Sequence, residues 1–76
     1  MASVTIRLNS IGEVKEFNRI AATVPGDVDL HSGRYCVDAK SIMGIFSLDL
    51  SKPIDLNIHA EDNLDAVLEI LKPYMV

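Results

Sequence analysis

The sequence has very little sulfur chemistry available to it. Cys36 is the only cysteine among 76 residues, so no intramolecular disulfide can form, and a reducing, cytoplasmic compartment is expected. Tryptophan is absent and aromatics make up only 5% of the chain. Any core must therefore be built from Ile, Leu, Val and Ala. Basic residues are few: 7 against 11 acidic, for a formal charge of −4. That balance argues against nucleic acid, whose phosphates need a basic face, and against an anionic membrane surface. No apolar run approaches the length of a membrane span, and residues 1–8 alternate apolar with polar, unlike a signal peptide.

Apolar residues account for 49% of the chain, enough for a folded domain, and the length allows a single domain over residues 1–76. Val4, Ile6 and Leu8 alternate with Thr5, Arg7 and Asn9, which predicts a strand with one buried face. Ile11, Val14, Phe17, Ile20, Ala21 and Val24 then recur at spacings of three and four, predicting a helix. Asn9 or Ser10 caps its start, and Pro25-Gly26 ends it. Val28 and Leu30, then Tyr35, Val37 and Ala39, alternate with polar residues on either side of Ser32-Gly33 and predict a β-hairpin. Residues 41–48 predict a short helix capped by Ser41. Ile54, Leu56, Ile58 and Ala60 predict a fourth strand. Leu64, Val67, Leu68 and Leu71 predict a last helix, with Glu61 and Asp62 at its positive end and Pro73 closing it.

The resulting order, βαββαβα, is that of an α+β fold. Each strand has one apolar face, so three helices must cover one side of a four-stranded antiparallel sheet, making an open-faced β-sandwich. Thr5, Arg7, Asp29, His31, Cys36, Asp38, Asp55, Asn57 and His59 fall on the open side. His31, Cys36, Asp38 and His59 are metal-ligand types, but their spacing matches no ligand pattern, and no metal or cofactor is expected.

The stretch Val37-Asp38-Ala39-Lys40-Ser41-Ile42-Met43-Gly44-Ile45-Phe46-Ser47-Leu48 resembles a segment of HPr, the phosphocarrier of the bacterial sugar phosphotransferase system. There a strand leads through a Lys-Ser pair into a short helix of the form S-I-M-G-hydrophobic-x-S-L. The order of elements matches HPr as well. The resemblance implies a site on a histidine just before the first helix, within a signature like L-H-x-R-P-A. Here that window reads Asn9-Ser10-Ile11-Gly12-Glu13-Val14. Ser10 falls on the histidine, Gly12 on the arginine and Glu13 on the proline. A serine phosphoester is too stable to pass its group on, whereas imidazole forms a labile P–N bond. Glu13 also brings negative charge to a place where the arginine would steady a phosphoryl group.

The expectation is thus a protein that is neither an enzyme nor a phosphocarrier, with no catalytic residue. It would be a regulatory or adaptor variant that binds other proteins. By the same resemblance, Lys40, Ile42, Met43 and Phe46 would form the docking surface, with Ile45 and Leu48 packed inward. Ser41 would be a regulatory phosphorylation site as well as a cap. The implied partners are an HPr-type kinase and a regulatory or transport protein. Two alternatives differ in class: a phosphocarrier using His31 or His59 in a rearranged site, and a self-associating structural module.

Overall fold

The computed structural model describes residues 2–60 and 64–76. The expected Glu61–Asp62 pair at the last helix lies outside them. The elements run β1 (Ala2–Ile6), α1 (Ile11–Ala22), β2 (Val28–Ser32), β3 (Tyr35–Asp38), α2 (Ile42–Phe46), β4 (Ile54–Ile58), α3 (Leu64–Leu71) and a closing 3₁₀ turn (Lys72–Tyr74). The strands form one sheet in the order β1-β4-β2-β3, and every neighbouring pair is antiparallel. This is the α+β open-faced sandwich that the patterning predicts.

The core forms where the two apolar periodicities meet. Ile6, Val28, Leu30, Ile54, Leu56 and Ile58 rise from the sheet, and Val14, Phe17, Ile20, Ile45, Val67 and Leu71 descend from the helices. Among the described residues no polar or charged side chain is buried. Burial of aliphatic surface therefore holds the layers together, at about 25 cal/mol per Å² removed from water.

The sheet register sets the opposite face in rows. One row reads Thr5, Asp55, His31, Cys36 across the four strands. The next reads Ser3, Asn57, Asp29, Asp38. Side chains two apart on a strand share a face, so these rows lie side by side. Gly33, at φ +60, supplies the left-handed residue of the tight turn between β2 and β3, a conformation that costs a side chain dearly. The C-terminal residues cover the far end of the outer edge of β1: the amide of Arg7 donates to the carbonyl of Tyr74 (2.7 Å) and that of Val76 to Thr5 (3.1 Å). Such cover shortens the free edge of the sheet.

Three expectations need correction. Ile11, placed by its spacing on the buried face of α1, is 65% exposed; it is the first residue of the helix and overhangs the layer beneath. Tyr35, placed with the inward residues of β3, is 68% exposed, because it follows the turn at the end of the edge strand. Helix α1 also stops before Pro25-Gly26. It ends at Ala22, where the Thr23 hydroxyl donates to the Ile20 carbonyl (2.6 Å) and the Val24 amide to the Ala21 carbonyl (3.1 Å). That tightened turn drops Val24 into the core.

Candidate functional site

The first turn of α1 is closed by its own side chains. Ser10 is the N-cap, with extended backbone, and its Oγ accepts from the Glu13 amide (3.1 Å). Glu13 reaches back in turn, its Oε1 accepting from the Asn9 amide (3.0 Å). The pair is a variant capping box: Ser10 satisfies one amide that a helix start would leave free, while Glu13 takes the amide of the residue before the cap instead of that of the cap itself. The Ser10 hydroxyl is thus committed to the Glu13 amide, and the Glu13 carboxylate to the Asn9 amide. Gly12, beside them, brings no side chain.

Helix α2 approaches this end of α1. Leu8, Asn9, Ser10, Ile11, Phe46 and Leu50 border a shallow depression of about 390 Å³, together with Ser51. The helix has two faces. Ile45 is fully buried and Leu48 nearly so, while Met43 is 75% and Phe46 39% exposed, in line with the expected inward pair. Ile42 is half-buried and packs against the core. Ile11, Met43 and Phe46 are therefore the large apolar groups that this end of the molecule offers to solvent. Sequence periodicity missed Ile11 because it fits the helical repeat; only its position at the overhanging first residue separates it from the core.

Ser41 caps α2, its Oγ accepting from the Gly44 amide (3.3 Å), and the residue is exposed. Lys40 turns elsewhere: its ammonium donates to the Val24 carbonyl beyond the end of α1 (2.8 Å), and its amide donates to Asp38 Oδ1 (2.9 Å). The lysine braces the β3–α2 turn against α1, its charged end held at the Val24 carbonyl.

The two histidines lie on the open face of the sheet, as the alternation predicts. His59 Nε2 donates to Asp29 Oδ2 (2.9 Å), since a carboxylate can only accept. His31 Nε2 stands 3.5 Å from the same oxygen and 3.5 Å from Cys36 Sγ. The hydrogen bond from His59 holds the Asp29 carboxyl below its usual pKa; partial burial opposes this, and the contact with His31 adds to it. The spacing of these residues along the chain argues against a ligand set, but the register gathers Asp29, His31 and Cys36, whose donor atoms all lie within 4.8 Å of one another. Asp38 is drawn off by the Lys40 amide.

No protein-family model and no curated protein matches the chain. Solved structures do. HPr-C-His from Thermoanaerobacter tengcongensis superposes with a TM-score of 0.75 at 28% identity, covering 93% of this chain and 86% of that one. The phosphocarrier protein HPr from Bacillus anthracis str. Ames gives a TM-score of 0.72 at 24% identity, covering 99% and 94%. The fold is that of HPr. The HPr-like architecture extends over nearly the whole chain, so the α1 start and the α2 surface are parts of one recognisable scaffold. Among the described residues, no helix of this HPr-like chain is long and apolar enough to cross a membrane.

Proposed function

We propose that this HPr-like chain is a cytoplasmic protein-binding adaptor that does not relay phosphate. One observation carries the reading: at the start of α1, where the resemblance to HPr would require a histidine, Ser10 and Glu13 close a capping box. A carboxylate held at the first turn repels an incoming phosphodonor, and a serine ester would not pass its group on. Docking is assigned to Ile11 and Phe46 at the depression and to Met43, exposed on the same short helix as Phe46, with Ile42 half-buried against the core. A flexible thioether and an aromatic ring suit an interface of this kind. The partners are regulatory or transport proteins of the phosphotransferase type.

Control by an HPr-type kinase at Ser41 completes the proposal. The exposed hydroxyl stands at the entry to α2, and a phosphate there would place close to two negative charges beside Ile42 and Met43.

Incubation with phosphoenolpyruvate and the first enzyme of the phosphotransferase system is the test. The chain is expected to acquire no acid-labile phosphate; acquiring it would overturn the reading in favour of a relocated histidine. The surroundings of His31 and His59 weigh against that alternative, since Asp29 touches one and contacts the other. Separately, an HPr-type kinase is expected to add one acid-stable phosphate at Ser41, and a chain left unmodified would remove the switch while leaving the adaptor.

A further inference from the structure

We propose that the open face of the sheet binds one divalent transition-metal ion, of the zinc class, through Cys36 Sγ, His31 Nε2 and an oxygen of Asp29, with His59 orienting the Asp29 carboxylate. The inference is independent of the adaptor reading and concerns the opposite side of the molecule.

Register builds the site. His31 and Cys36 are direct partners across the β2–β3 hairpin, and Asp29 is two residues from His31 on the same face. Their donors are already spaced for a metal: 3.5 Å from Asp29 Oδ2 to His31 Nε2 and 3.5 Å from His31 Nε2 to Cys36 Sγ, with all three inside 4.8 Å. Zinc bonds of about 2.0–2.3 Å put neighbouring tetrahedral ligands about 3.3–3.8 Å apart. Two adjacent strands joined by a tight turn hold these donors, so little reorganisation is needed to close on an ion.

The donor set chooses the metal. A thiolate and an imidazole favour zinc, cobalt, nickel or copper over magnesium and calcium, which want oxygen alone. Coordination needs neutral His31 with its proton on Nδ1, and Cys36 releases its thiol proton to solvent as the metal–sulfur bond forms. Water completes the coordination from the open side, as three protein ligands allow. His59 fits the role of an outer-shell partner, its ring N–H already on the carboxylate.

Charge agrees with a cation. A depression of about 390 Å³ beside the donors is lined by Asp27, Asp29, Cys36, Asp38 and His59, with no lysine or arginine among its lining residues. Asp29 and Asp38 face each other directly across β2 and β3, an arrangement of like charges that destabilises a sheet and that a bound cation would relieve.

The test titrates the full-length, metal-free protein, kept reduced with a phosphine, with Zn²⁺ and separately with Co²⁺. Saturable binding of one Zn²⁺ per chain is expected, together with a thiolate-to-cobalt charge-transfer band in the near ultraviolet. Cys36→Ser should abolish that band. His59→Ala should keep the band while weakening Zn²⁺ binding by about 10- to 100-fold, and Cys36→Ser and His31→Ala should each weaken it further. Far-ultraviolet circular dichroism of the metal-free variants, all altered on the solvent side of the sheet, verifies that they fold. Absence of saturable Zn²⁺ binding, absence of the band, or binding unchanged in folded Cys36→Ser would overturn the proposal.

Discussion

The ring of Tyr74 stands edge-on to that of Phe17, with centroids 6.4 Å apart and planes at 78°. Phe17 is fully buried at the middle of α1, while Tyr74 belongs to the 3₁₀ turn that brings the C-terminus beside β1. The contact pins the end of the chain to the centre of the core. Edge-to-face pairs of this kind add about 0.5–1.5 kcal/mol beyond the area they bury.

Tyr74 makes stability depend on pH at the alkaline end. Burial raises its pKa above the tyrosine value, the carboxylates of Glu16 and Glu13 reinforce this, and Arg19 opposes it. A group whose folded pKa is raised contributes its full stability below the unfolded pKa and loses it as pH climbs through the folded one. Urea midpoints should therefore fall as pH rises above about 10. Tyr74→Phe should show a smaller fall over the same range, and an equal fall in both proteins would refute the assignment.

The capping box should be measurable as stability. Ser10→Ala is expected to cost about 1 kcal/mol in chemical denaturation. Glu13→Gln should cost less, about 0.3–1 kcal/mol, because the amide oxygen still accepts from Asn9 while the charge at the helix start is lost. A neutral Ser10→Ala would mean that this helix start does not depend on its cap.

The close approach at Gly26 leaves no room for a methyl group. A Cβ there would lie 2.7 Å from the His59 carbonyl oxygen and 3.1 Å from its carbon, both backbone atoms that cannot swing aside. Gly26→Ala should destabilise by about 1–3 kcal/mol. Gly33→Ala meets no atom within 4 Å but must keep φ near +60, so its cost of about 1–2 kcal/mol is purely conformational. Thermal unfolding of the two variants tests both figures.

Helix α2 should respond to substitution according to face. Ile45→Ala, in the core, is expected to cost about 2–5 kcal/mol. Met43→Ser, on the exposed face, should fall within about 0.5 kcal/mol of the parent. A large cost at Met43 would show that its side chain supports the fold and is not held free for a partner.

Much of this architecture is legible in the order of residues. The alternation of Ile54, Leu56 and Ile58 with Asp55 and Asn57 fixes a one-sided strand, because successive side chains point to opposite faces. The three-and-four spacing of Val14, Phe17, Ile20 and Ala21 fixes a one-sided helix. The two periods suffice to place the layers and the core. Ile11 and Tyr35 escape this reasoning: periodicity describes a face, but not where that face runs out at the end of an element.

The candidate sites divide in the same way. Ser10, Ser41 and the exposed positions of Met43 and Phe46 follow from local pattern, since caps and helix faces are decided within a few residues. The bond from Lys40 to the Val24 carbonyl and the meeting of Asp29, His31, Cys36 and His59 do not. They depend on how α1 lies against the β3–α2 turn and on which strands become neighbours in the sheet. Chain order alone determined the elements and, away from their ends, their buried faces, because the periods of strand and helix are set over a few neighbouring residues. Only the tertiary structure decided which polar groups meet, because strands distant in sequence are brought side by side when the hydrophobic layers close.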